Sequence, residues 1–139
     1  MCHPFCARNE VESWPGENSV DRIRYLSGLE YERRFRDWIE GVGYDLEIYR
    51  KTFRQARVEW RISPIDDQTS ALRITVYPEP LQGKSAIMRW LAHVAFIRPK
   101  LSSYLDSVVR GFEWYITKGE AVPRNQFGRH RWFSQRKQA

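Results

Sequence analysis

Residues 99–119 read PKLSSYLDSVVRGFEWYITKG. Leu101, Tyr104, Leu105, Val108, Val109, Phe112, Tyr115 and Ile116 recur at steps of three and four, which places them on one face of an α-helix. Pro99 suits the first helical turn, where a backbone N–H has no partner within the helix. Lys118 and Gly119 suit the last turn and the left-handed residue that closes it. At ~1.5 Å per residue the helix is about 27 Å long, enough to cross a small sheet.

Working outward, Ile87, Trp90, Leu91, Val94 and Ile97 keep the same spacing and run into Leu101. A helical region over about 84–118 is expected. The residue before a proline is disfavoured in the helical region, so a break or kink is expected at Arg98. Upstream, over about 10–78, the period changes to two. Glu10–Trp14 reads as a short strand, followed by a turn at Pro15-Gly16-Glu17-Asn18. Val20–Leu26 sets Ile23 and Tyr25 against Arg22 and Arg24, and Ser27-Gly28 turns the chain. From 29 to 39, Leu29, Tyr31, Phe35 and Ile39 share a face that Arg33 and Asp37 interrupt. Glu30, Glu32, Arg34, Arg36 and Trp38 hold the other face. Residues 41–43 make a tight connection, after which Val42, Tyr44, Leu46 and Ile48 alternate. Lys51–Gln55 reads as loop. Val58, Trp60 and Ile62 alternate, Asp66-Asp67-Gln68 turns, and Leu72, Ile74 and Val76 alternate before Pro78 and Pro80 end the run.

The class is therefore α+β: a meander of five to six antiparallel strands with one dry face, and a long C-terminal helix as the only available cover. The whole chain, 1–139, reads as a single domain with a basic tail over 119–139. In its 139 residues, 42% hydrophobic and 14% aromatic, it has the composition of a folded protein rather than a disordered one. No apolar run reaches the ~20 residues of a bilayer span, and Met1-Cys2-His3-Pro4 begins no signal peptide. A cytoplasmic location without membrane insertion is expected. The net charge is +6, and from Lys118 onward six cations face Glu120 alone. Such a tail attracts phosphates or an acidic partner, or pairs within its own domain; nucleic acid is not the expected partner.

The stretch RPKLSSYLDSVVRGFEWYITKGEAVPRNQFGRHRWFS, Arg98–Ser134, resembles the C-terminal helix and tail of the START-like, polyketide-cyclase-like superfamily (SRPBCC), in a bacterial subgroup of unknown function. ENSVDRIRYLSGLEYERRFRDWIEGVG, Glu17–Gly43, is similar to strands of the same family. The resemblance spans residues 5–134 and implies a helix-grip fold, with the sheet gripping the long helix. The opening MCHPFCARNEVESW departs from it, because family members begin with a strand and two short helices. A misplaced start, a natural truncation or a partner-supplied strand each accounts for this. If the first strand is absent, the 71–77 strand is left as an open edge that invites strand pairing, and a homodimer or poor solubility is expected.

The resemblance also implies a cavity between sheet and helix for an apolar ligand. Tyr25, Tyr31, Phe35, Tyr44 and Trp60 from the strands, with Arg33 among them, and Leu105, Val108, Val109, Phe112 and Tyr115 from the helix are the lining candidates. Aromatic walls with a few hydroxyls suit such a ligand; a filled core explains the same residues. Gly111, beside the stripe, points to close packing or a widened pocket. Arg33 and Asp37 either orient a ligand, do acid–base work, or pair at a rim. His3, His93 and His130 have no Ser, Cys or carboxylate at a dyad spacing. Cys2, His3 and Cys6 read as a metal clip or, preferably, as ordinary thiols and a histidine. No metal, cofactor or catalytic residue is expected. Three functions stay open: a binding module for a lipid- or polyketide-like molecule, a cyclase- or hydratase-type enzyme using the same cavity, and an interaction domain with a basic tail.

Overall fold

Period-two patterning in the first half of the chain becomes six strands, and period-3.6 patterning in the second becomes helix. The computed structural model describes residues 2–14, 18–79 and 85–135. Strands β1 (Cys6–Ser13), β2 (Val20–Tyr25), β3 (Glu30–Ile39), β4 (Gly43–Arg50), β5 (Phe53–Pro64) and β6 (Ser70–Pro78) form one open antiparallel sheet in sequence order. Helix α1 (Ala86–Ala92) passes through a π-helical turn (His93–Ile97) into α2 (Arg98–Lys118). The fold class is α+β, with six strands and the long C-terminal helix expected. Pro15, Gly16 and Glu17 of the first expected turn, Pro80, and the tail cations Arg136 and Lys137 lie outside the described residues. No described helix is long and apolar enough to cross a membrane.

Contacts divide the chain into two compact units. The first comprises Met1–Ala7, Tyr25–Leu29 and Pro80–Ala139, and the second comprises Arg8–Arg24 and Glu30–Glu79.

In the second unit the pairing registers give the sheet two unlike faces. Phe35 pairs with Leu46, Leu46 with Val58 and Val58 with Val76. These residues centre an apolar cluster in which Phe35, Leu46, Ala56 and Val58 are buried, with Trp38, Tyr44, Ile48, Trp60, Ile74 and Val76 packed against them. The other face is a lattice of opposite charges. Arg22 meets Glu12 and Glu32, Arg54 meets Glu47 and Glu79, and buried Asp45 sits between Arg57 and Arg61.

Local chemistry corrects several expected boundaries. β1 begins at Cys6, not Glu10, and all of it after Cys6 is exposed; an edge strand without a dry face leaves little alternation to read. The loop expected at 51–55 shrinks to Lys51-Thr52, with Lys51 at φ 56°, and β5 starts at Phe53. In β3 the register slips between Arg36 and Ile39, with Asp37 at φ 45°. This β-bulge inserts a residue and exchanges the faces beyond it. Trp38 therefore joins the apolar cluster, and Ile39 is exposed.

In the first unit α2 ends as expected, with Gly119 at φ 69° donating its N–H to Tyr115. The expected interruption at Arg98 takes another form. Arg98 is helical, at φ −55° and ψ −51°, and its N–H reaches back five residues to His93. The π-helical turn thus lies just before Pro99, which has no N–H to continue the α pattern. The buried positions of α2 follow the apolar stripe only in part. Ser107, Val108 and Gly111 are buried, whereas Val109 and Tyr115 are 36% and 46% exposed. Gly111 admits the N-terminal segment. A Cβ on Gly111 would fall 2.2 Å from the Cys2 carbonyl oxygen and 3.0 Å from Pro4 Cδ. Gly111 thus serves close packing, against residues 2–4. Backbone bonds knit the unit further: Leu26 N–H to Phe5, Ser27 N–H to Phe133 and Asn125 N–H to Pro4.

Candidate functional site

The apolar face of the second unit carries the richest set of expected residues. Tyr44 on β4 and Trp60 on β5 are direct cross-strand partners, a pairing in which side chains on one face meet. Their rings stack at 5.7 Å and 21°. Trp38, delivered to this face by the bulge, stacks on Tyr44 from the other side at 5.3 Å and 9°. Phe35 leans on Tyr44 at 5.2 Å, and Trp14 stands edge-on to both Phe35 and Trp38. The result is a row of near-parallel rings crossing β3, β4 and β5, extended by Ile74 opposite Trp60 on β6. Trp38, Tyr44 and Trp60 are half-buried and Trp14 is exposed. The Trp38 indole N–H donates to Glu40 at 3.1 Å, so this polar atom is satisfied.

Tyr31 and Arg33 lie further along β3 on the same face. Tyr31 pairs with Ile23, and burial pushes its phenol above the ordinary value, opposed by the charge of Arg50. Arg33 is clamped rather than available. Its Nε and Nη2 donate to the two oxygens of Asp21 at 2.7 and 2.6 Å, and the Asn9 side-chain amide donates to Asp21 at 3.3 Å. Asp21 is 2% exposed, so this is a buried ion pair whose members hold one another. Asp37, at the bulge, is exposed and not part of this pair. Of the expected strand residues, the structure gathers Phe35, Tyr44 and Trp60, and the Arg33 guanidinium lies 5.8 Å from the centre of the Phe35 ring.

Tyr25 and the helix candidates belong to the first unit. Val108 is buried, Leu105 and Phe112 are half-buried, and Val109 and Tyr115 are exposed. Tyr25 is instead part of a polar chain. Its hydroxyl lies 2.9 Å from that of Tyr104, which lies 2.9 Å from His3 Nε2. The Phe5 N–H donates to His3 Nδ1 at 3.2 Å, so the neutral ring carries its proton on Nε2 and donates toward Tyr104. His130 repeats the arrangement: the Trp132 N–H donates to Nδ1 at 3.3 Å, and Nε2 donates to the Lys100 carbonyl at 2.9 Å. Burial holds the His130 pKa below its ordinary value; the Lys100 carbonyl opposes this and the Lys100 charge adds to it. Phe133 packs between these groups, 4.4 Å from Tyr25, 4.5 Å from Tyr104 and 5.0 Å from His130. A hydrogen-bonded phenol–phenol–imidazole chain is able to pass a proton.

Elsewhere in this unit an open cleft of about 350 Å³ is lined by Arg110, Glu113, Trp114, Thr117, Gln126 and Phe127. Arg110 lies 4.4 Å over the Phe127 ring, and the shielded indole N–H of Trp114 has no hydrogen-bond partner among the described residues. No described group of three or more His, Cys, Asp or Glu side chains is placed to hold a metal.

Sequence reasoning missed the parts played by four residues. Trp38 was on the wrong face until the bulge was known. Asp21 shares the face of Ile23 and Tyr25, and its partner Arg33 lies opposite it on the next strand. His3 and Tyr104 are joined across about a hundred residues, a distance no spacing rule covers. No protein-family model, curated protein or solved structure matches this chain.

Proposed function

We propose that this chain binds a hydrophobic small molecule of lipid or polyketide type, and that the row of Trp38, Tyr44 and Trp60 is the surface the ligand lies against. The carrying observation is the near-parallel stacking of three half-buried rings across three strands. Such a row combines aromatic area with one phenol hydroxyl, the mix of apolar area and sparse polar groups that small-molecule sites use. The resemblance of Arg98–Ser134 to the START-like superfamily adds support, since that family's members hold apolar ligands. A cyclase- or hydratase-type reaction is the second reading, favoured by the Tyr25–Tyr104–His3 chain as a means of moving a proton.

The test is titration with a hydroxylated anthraquinone and with a long-chain fatty acid, followed by intrinsic tryptophan fluorescence and thermal shift. Binding to the native chain, weakened at least tenfold by Trp60→Leu and by Trp38→Leu but unchanged by Trp132→Phe, is the expected result. Unaltered affinity in both row variants, or no binding of either probe, overturns the reading.

A further inference from the structure

Among the described residues the strand order leaves β6 hydrogen-bonded on one side only, to β5. Two backbone bonds flanking this ladder fix which of its groups point outward. Ile65 N–H donates to Thr69 at 2.9 Å, and Glu79 N–H donates to Gln55 at 2.8 Å. Between them the register runs without a shift from Pro64 opposite Ser70 to Ala56 opposite Pro78. Hydrogen-bonded and non-hydrogen-bonded pairs alternate in an antiparallel ladder. Counting inward from either flank assigns Ala71, Arg73, Thr75 and Tyr77 to β5. Ser70, Leu72, Ile74, Val76 and Pro78 then aim their main-chain groups outward. Pro78 agrees with this assignment, since a proline in a sheet belongs where its missing N–H would face away from the ladder.

We infer that this edge pairs with β6 of a second copy, antiparallel about a two-fold axis at Ile74. Ile74 is the midpoint of the strand, so this register uses its whole length. Leu72 then faces Val76 of the second copy and exchanges two main-chain bonds with it, as does Ile74 with its own equivalent. Each Ser70 N–H reaches a Pro78 carbonyl. A two-fold axis at Arg73 sets like charges opposite one another, which is unfavourable, and an axis at Thr75 shortens the overlap. Side chains 72, 74 and 76 share the apolar face, so each copy extends the other's partly covered stripe. The opposite edge is guarded differently. β1 alternates Arg8, Glu10 and Glu12 along an exposed strand, whereas β6 carries Arg73 alone; charged residues are a common guard against edge pairing.

Sedimentation equilibrium of the full chain is expected to show a mass rising with concentration from 16.7 kDa toward twice that value. Ile74→Pro removes an outward N–H along with a side chain packed on the apolar cluster, so Ile74→Val is its packing control. The proline variant leaves the β5–β6 ladder bonds in place and is expected to weaken association at least tenfold with the far-UV circular dichroism unchanged, and the valine variant to associate as the native chain does. In a Cys2→Ser, Cys6→Ser background, Ile74→Cys is expected to form a disulfide-linked dimer on mild oxidation, in clear excess over Arg73→Cys and Thr75→Cys. A monomer at every concentration, equal cross-linking at all three positions, or open-ended growth from β6 pairing with β1 each overturns the inference.

Discussion

Gly111→Ala is the substitution whose sign the structure decides. In an open helix this change stabilises by about 1 kcal/mol, because glycine gives up more backbone freedom on folding. At position 111 the added carbon would sit 2.2 Å from the Cys2 carbonyl oxygen. That atom is main chain and cannot swing aside as a side-chain tip can. Relief requires lifting the N-terminal segment, in which Phe5 is 1% exposed and Pro4 is fully buried. It also strains the bonds from Asn125 N–H to Pro4 and between His3 and Tyr104. Exposing a phenylalanine costs about 3 kcal/mol, and losing one or two hydrogen bonds costs about 1 kcal/mol each. Partial relaxation reduces that loss and the helix-propensity gain offsets more of it, leaving a net destabilisation of about 2 kcal/mol. Urea unfolding followed by circular dichroism measures it. A stabilisation near 1 kcal/mol, or no change within 0.5 kcal/mol, would refute the packing of residues 2–4 on α2.

Three further outcomes are expected. Arg33→Met leaves Asp21 buried without its ion-pair partner and lowers stability by about 3 kcal/mol; adding Asp21→Leu restores most of this, and a double mutant no more stable than the single would contradict the buried pair. His130 is held neutral by burial, so on acidification the unfolded chain takes up the proton first. Stability is then full above about pH 6.5 and falls as the pH drops through the depressed folded value; chemical denaturation from pH 8 to 5 should show this slope, reduced in His130→Gln. Asp37→Gly relieves a left-handed backbone while keeping the bulge, and should be neutral or stabilising by up to about 1 kcal/mol, with a fluorescence spectrum unchanged for Trp38.

The elements were legible wherever alternation or helical spacing was carried by large apolar residues against charged ones, as in β2, β4, β5, β6 and α2. They were illegible where geometry departs from its period. Asp37 is an ordinary residue in the sequence, yet its positive φ turns Trp38 inward and Ile39 outward. Ser107 and Gly111 score as gaps in the apolar stripe, yet both are buried beside Val108, and the atom nearest a Cβ on Gly111 is the Cys2 main-chain carbonyl oxygen. The candidate site followed the same pattern. Tyr44 and Trp60 were legible as neighbours on one face, and the third ring of their stack was not. The Tyr25–Tyr104–His3 chain depends on long-range docking, which local spacing does not encode.

The π-helical turn at His93–Ile97 has a consequence for how this region tolerates change in length. Each residue of an α-helix turns the next by about 100°, and a π-helical turn accommodates one residue more than the α pattern needs. Loss of a single codon within 93–97 therefore closes the turn to α and leaves the phase of α1 unchanged, whereas gain of one more turns α1 by about 100°. Such a gain re-aims Ile87, Trp90 and Leu91 around the axis while α2, held at Gly111 by residues 2–4, keeps its orientation. The turn thus acts as a one-way length buffer: it absorbs a deletion silently and converts an insertion into rotation of α1.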